Sequence, residues 1–114
     1  MLTIENLKEF GADTDEGLGR CFNNEEFYLK LVNSVPEEKS FDTLKTALDE
    51  GNLSTAFEAA HALKGVLSNL SLTCMVEPAV EITENLREGK DMDYSGLLEK
   101  LLAKKEELKK LCEG

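Results

Sequence analysis

His61 is the only histidine in the chain, and it stands in the run Ala59-Ala60-His61-Ala62-Leu63-Lys64-Gly65. A neutral imidazole keeps one ring nitrogen unprotonated near neutral pH, so an exposed one can attack a phosphoryl group directly, with no separate base. Lys64, three residues on, can reach the space beyond such a ring and neutralise the oxygens of an attached phosphoryl group. Gly65 follows one helical turn after the histidine. A glycine in a helix interior costs about 0.5–1 kcal/mol relative to alanine, and at this position it removes the side chain that would obstruct another protein closing over His61. Ser68 continues the face with a small hydroxyl, and Leu72 adds an apolar contact at its end. Glu58, otherwise an ordinary solvated carboxylate, lies on the same side. The candidate site is therefore His61 as nucleophile and Lys64 as electrostatic neighbour, with Gly65, Ser68, Leu72 and Glu58 as docking residues.

These residues must sit on one helix for the spacing to mean anything. Asn52 can cap it, and Ala56, Ala60, Leu63, Leu67 and Leu70 keep the i, i+3/i+4, i+7 spacing of a buried stripe. At about 100° per residue, Ser54, Glu58, His61, Gly65, Ser68 and Leu72 fall opposite that stripe, and Lys64 falls on the flank. His61 is expected to point to solvent. Close helix packing, the usual structural reason for a helical glycine, does not fit a position opposite the core. A plainer reading stands beside this one: a lone exposed histidine is by default a polar surface residue, and lysines populate most helix surfaces. An enzyme using His61 as general base is the weakest alternative, because no nucleophile, oxyanion site or second catalytic residue accompanies it.

The remaining segments repeat the helical period and show no strand alternation, which makes the class all-α. A short helix over Thr3 to Phe10 stops at Gly11, and another after Thr14 carries Leu18, Cys21 and Phe22 on one side. Both read as a lid over one end of a bundle. Asn24 caps a segment in which Phe27, Leu31 and Val35 share a face with Tyr28 and Val32, until Pro36 imposes a break. Ser40 can cap a helix with Phe41, Leu44 and Leu48 inward, ending at Gly51. After the histidine helix, Met75, Ala79, Ile82 and Leu86 form an inward stripe ended by Gly89, and Pro78 must lie near the first turn or kink the helix. The last helix begins near Asp93 and runs through Leu97, Leu98, Leu101, Leu102, Leu108 and Leu111 at close to heptad spacing. Short connections between amphipathic segments favour antiparallel neighbours. The expected architecture is an antiparallel up-and-down four-helix bundle, its first helix divided at Pro36, with short N-terminal capping helices. One domain spans residues 1–114, with the cap in 1–23 and the bundle in 24–112.

Composition narrows the partners. The chain has 114 residues, enough for one modest core, and 23 acidic against 13 basic residues give a net charge of −10. That charge repels nucleic acid and anionic membrane. The start Met1-Leu2-Thr3-Ile4-Glu5-Asn6 lacks the basic and apolar runs of a signal peptide, and no apolar stretch approaches the ~20 residues of a membrane span. Together with Cys21, Cys74 and Cys112, an odd number without CxxC spacing, this points to a cytoplasmic protein with reduced thiols. A zinc site joining those cysteines to His61 lacks any short ligand pair, and Asp91 and Asp93 are too few for a calcium loop. No phosphate-binding loop, kinase loop or acidic metal cluster is present, so the chain should not phosphorylate itself from ATP. Met1 points to a free-standing protein, while a domain cut from a larger kinase stays open, as do monomer and pair.

His61-Ala62-Leu63-Lys64-Gly65 followed by Ser68-Asn69-Leu70 resembles the signature of histidine-containing phosphotransfer (HPt) domains of bacterial two-component phosphorelays. In looser form the resemblance extends over almost the whole chain, including Leu48-Asp49-Glu50-Gly51-Asn52 before the histidine helix and Glu84-Asn85-Leu86-Arg87-Glu88-Gly89 after it. It implies a four-helix bundle in which His61 accepts a phosphoryl group from a receiver-domain aspartate and passes it to another. It also implies that Lys64 neighbours the phosphate and Gly65 is the steric gap. The implied partners are receiver domains of response regulators or hybrid histidine kinases. No cofactor of its own is implied, since the divalent metal belongs to the receiver. Ser71 stands where the family commonly has glycine, and Val66-Leu67 replace usually smaller residues, departures that bear on partner fit rather than on the phosphoacceptor. A non-catalytic bundle that binds a receiver without accepting phosphate is the alternative from another class.

Overall fold

The computed structural model describes residues 1–114 and contains seven α-helices and no strand. The helices are α1 (Ile4–Phe10), α2 (Thr14–Arg20), α3 (Glu25–Asn33), α4 (Ser40–Asp49), α5 (Leu53–Asn69), α6 (Thr73–Arg87) and α7 (Ser95–Glu113), with a 3-10 turn over Val35–Glu37 between α3 and α4. Helices α4 to α7 form an antiparallel up-and-down four-helix bundle. Each neighbour in sequence packs on the next, and the 3-10 turn closes the ring against α7. No helix is long and apolar enough to cross a membrane.

The chain starts its helices where a short polar side chain can take an orphan backbone N–H. Thr3 and Asn6 form a reciprocal capping box at α1, and Asp13, Asn24 and Asn52 accept from Glu16, Phe27 and Thr55 at α2, α3 and α5. Two expected starts differ. Ser40 is the first residue of α4 rather than its cap, and the Glu38 carboxylate accepts from both its N–H and its hydroxyl. Asp93 lies before α7 and accepts from the Ser95 N–H at 2.9 Å; the Ser95 hydroxyl, and after it this N–H, pull its carboxyl below the usual range. Pro78 lies inside α6, well past the first turn, and the helix continues through it.

The core is one cluster joining α1 and α3 to α7, with Leu18 of α2 packed against its edge and Tyr28, Phe41, Leu44, Leu63, Leu67, Met75, Ile82 and Leu101 fully enclosed. Each such side chain contributes about 1.5–3 kcal/mol relative to leaving it in water. The predicted stripe of α5 is buried at every position, Ala56, Ala60, Leu63, Leu67 and Leu70. Phe22 departs from expectation: it is 88% exposed, because α2 ends at Arg20 and Phe22 takes a left-handed conformation (φ 59°) outside the helix. The face expected to carry it keeps only Cys21, buried, and Leu18, half-buried. Phe27 is likewise exposed, while Tyr28 and Val32 supply the buried face of α3.

Candidate functional site

Helix α5 presents the histidine because its buried stripe is continuous and its opposite side is nearly free of apolar residues. His61, Glu58, Ala62 and Gly65 are exposed, while Lys64 and Ser68 are half-buried at the edges. The imidazole stacks on Phe57 one turn earlier, with ring centroids 5.7 Å apart and planes within 19°. That contact restrains the ring without using either nitrogen, so both stay available for a proton or an incoming group.

Helix α6 meets this edge with charge. Glu84 lies 3.9 Å from the Lys64 ammonium through one oxygen and 3.0 Å from the Arg87 Nε through the other. The Arg87 guanidinium lies over the Phe57 ring at 5.3 Å. His61, Phe57, Arg87, Glu84 and Lys64 therefore form a continuous chain of contacts spanning two helices. Sequence reasoning missed three of its members. Phe57 was legible, since it stands four residues before His61; Glu84 and Arg87 were not, because helical spacing does not give the register between α5 and α6.

Gly65 faces open space: a Cβ there would meet nothing within 4 Å outside its own helix backbone. This agrees with the expectation that packing does not require the glycine. Glu58 and Gly65 share the exposed face with His61, and Ser68 lies at its rim.

Leu72 does not belong to that face. It is fully buried, and the reason lies in how α5 ends. The helix stops at Asn69, Ser71 adopts φ 55°, and the Leu72 N–H reaches back to the Leu67 carbonyl at 3.0 Å while the Ser71 N–H bonds Ser68. This is a Schellman ending, which reverses the chain and turns the following apolar residue inward. Extending the helical wheel past the reversal placed Leu72 on the wrong side.

The same ending ties the cap to the bundle. The buried Tyr28 hydroxyl donates to the Leu70 carbonyl at 2.8 Å, one of the acceptors a helix C-terminus leaves free. Burial, with the nearby Cys21 and Asp13 adding to it, pushes the Tyr28 phenol up to about 12. The ring passes so close to α2 that a Cβ on Gly17 would fall 2.5 Å from its oxygen. Ser71 donates its hydroxyl to Glu16 at 2.8 Å, and its carbonyl accepts from the Asp13 N–H at 2.9 Å. The cysteines are unpaired, and burial pushes the Cys74 and Cys112 thiols up, away from the reactive thiolate. No group of three or more His, Cys, Asp or Glu side chains is placed to hold a metal ion.

An exposed imidazole beside an ammonium and an open glycine, on the outer face of a helical bundle, is the frame on which the wider likeness bears. The model of the Hpt domain family matches residues 30–113. The chain belongs to that family. The matched span runs from within α3 through α7 and so takes in the whole bundle and the entire histidine helix, leaving α1 and α2 outside. No curated protein and no solved structure matches the chain. As an Hpt domain the chain has a histidine phosphotransfer role in two-component signalling, and receiver domains are its class of partner. The fold also accounts for the departure at 71: a left-handed φ is where glycine is least strained, and here serine occupies it with its hydroxyl bonded to α2.

Proposed function

We propose that His61 is the phosphoacceptor of this Hpt domain, taking a phosphoryl group from the aspartate of one receiver domain and delivering it to the aspartate of another in the cytoplasm. The observation that carries the proposal is the coincidence, on one exposed strip of α5, of the chain's only histidine and a glycine with nothing around it. In the forward step the unprotonated ring nitrogen attacks phosphorus in line. A P–N bond forms as the P–O bond to the aspartate breaks, the aspartate leaves as a carboxylate, and the proton on the other ring nitrogen stays in place. The reverse step returns the group to a second carboxylate. No base is required, because the attacking nitrogen carries no proton.

The division of labour follows from what each side holds. This chain offers a fixed nucleophile, with Lys64 to screen the phosphoryl oxygens and Gly65 to admit the partner, and Glu58 and Ser68 complete the contact rim. The receiver brings the carboxylates and the divalent metal, which suits a reaction governed by positioning and charge rather than by covalent chemistry on this side.

The test is incubation with a phosphorylated receiver domain carrying labelled phosphate. Label should move to the wild-type chain in an acid-labile, alkali-stable form and should not move to His61→Gln. Binding to the receiver that persists in His61→Ala, with no transfer to the wild type, would replace this reading by a non-catalytic docking module.

A further inference from the structure

The chain of contacts that leads from His61 across to α6 and back to Lys64 contains one residue with two cationic partners, and this arrangement has a use. Glu84 divides its oxygens, Oε1 toward Lys64 at 3.9 Å and Oε2 toward Arg87 Nε at 3.0 Å. The first contact is at the outer limit of an ion pair and joins a one-quarter-exposed lysine to a half-exposed glutamate. The second is a charge-assisted hydrogen bond, and its arginine is further held over Phe57. Of the two cations, Lys64 is therefore the one that leaves easily. When it leaves, Glu84 keeps Arg87 and is not stranded as an unpaired charge.

We propose that Glu84 is the exchangeable counter-ion of Lys64: it holds the ammonium while His61 is free and releases it to the phosphoryl oxygens when His61 is phosphorylated, with Arg87 neutralising the carboxylate that remains. This rests on the reading of His61 as phosphoacceptor and deepens it by assigning α6 a positioning role. Lysine on α5 is a flexible four-carbon stem whose ammonium can swing between acceptors. A phosphoryl group carries up to two negative charges and three acceptor oxygens, so it outcompetes a carboxylate already shared with arginine. Glu84 thereby keeps the lysine oriented along the α5–α6 edge before the reaction and limits how strongly it screens the group afterwards. Glu84 touches no reacting atom. It acts through Lys64.

The experiment loads His61 chemically with phosphoramidate, which needs no receiver, so its outcome is separable from the success or failure of relay transfer. The side-chain carboxyl carbon of 13C-labelled Glu84 is followed by NMR, and phosphohistidine lifetime is followed by 31P. On phosphorylation the Glu84 carbon should shift in the wild type and stay within a third of that shift in Lys64→Met, which keeps the stem and removes the charge. Glu84→Gln should lengthen phosphohistidine lifetime about twofold, the size expected from one partly exposed ion pair, and should have no effect in the Lys64→Met background. A Glu84 carbon that does not move in the wild type, or moves equally without Lys64, overturns the proposal. So does a Glu84→Gln effect of the same size with and without Lys64, which would mean that the carboxylate acts on the phosphoryl group through space.

Discussion

Gly65 separates folding from docking, and replacing it should move the two in opposite directions. It lies in the interior of α5, with no positive φ, and a Cβ at this position would meet nothing within 4 Å beyond its own helix. Gly65→Ala therefore meets no steric penalty and recovers the helix propensity that glycine forfeits, about 0.5–1 kcal/mol. With an unfolding entropy of about 2.1 cal/mol/K per residue, that gain raises Tm by roughly 2–4 °C for a chain of this length. The same methyl stands on the exposed strip beside His61 and holds a docked surface away by roughly half an ångström, where a misplacement of about 1 Å can cost about a hundredfold in rate. Gly65→Ala should slow transfer from a phosphorylated receiver about tenfold and Gly65→Leu about a hundredfold, with the reaction of His61 toward phosphoramidate nearly unchanged. Thermal melts, single-turnover transfer and small-molecule phosphorylation on the same three proteins make the comparison. A Gly65→Ala chain that melts below wild type, or a Gly65→Leu chain that takes phosphate from a receiver at the wild-type rate, refutes the reasoning.

Three further outcomes follow from the end of α5 and its cap. Ser71→Ala loses the hydroxyl bond to Glu16 and keeps the left-handed backbone, whereas Ser71→Gly loses the bond and relieves the strain; denaturant titration should find the glycine variant more stable than the alanine variant by about 1 kcal/mol. Gly17→Ala drives a methyl to within 2.6 Å of the buried Tyr28 ring, and urea unfolding should show a loss of about 1–3 kcal/mol, most of which should vanish when the same substitution is compared within a Tyr28→Leu background. The Tyr28 phenol, raised from 10.0 to about 12 by burial, favours the folded state fully below pH 10.0 and loses that contribution as pH rises from there to about 12, since the unfolded phenol ionises first. Wild-type stability should fall more steeply across that window than that of Tyr28→Phe, which is itself less stable at neutral pH by the bond to Leu70, about 1 kcal/mol; parallel slopes for the two chains would contradict the assignment.

Much of the site was legible before any fold was known, for a reason specific to helices. Side chains three and four residues apart share a face, so the spacing of Ala56, Ala60, Leu63, Leu67 and Leu70 already turned His61 and Gly65 outward, and the bundle buries that whole stripe. The all-α class and the antiparallel order followed from period and connection length in the same way. Leu72 marks where this logic stops, because a wheel assumes the helix continues and the left-handed Ser71 ends it. Phe22 fails similarly, lying beyond the last residue of α2.

What the sequence determined by itself was therefore local: which face of α5 is wet, where Asn24 and Asn52 start their helices, and that a lone histidine has a lysine and a glycine beside it. What only the tertiary structure decided was how helices meet. The pairing of Glu84 with Lys64 and Arg87, the seat of Arg87 on Phe57, the passage of Tyr28 over Gly17 and its bond to Leu70 all depend on the register between elements. That register is set by the summed packing of a shared core, in which no single residue's spacing carries the answer.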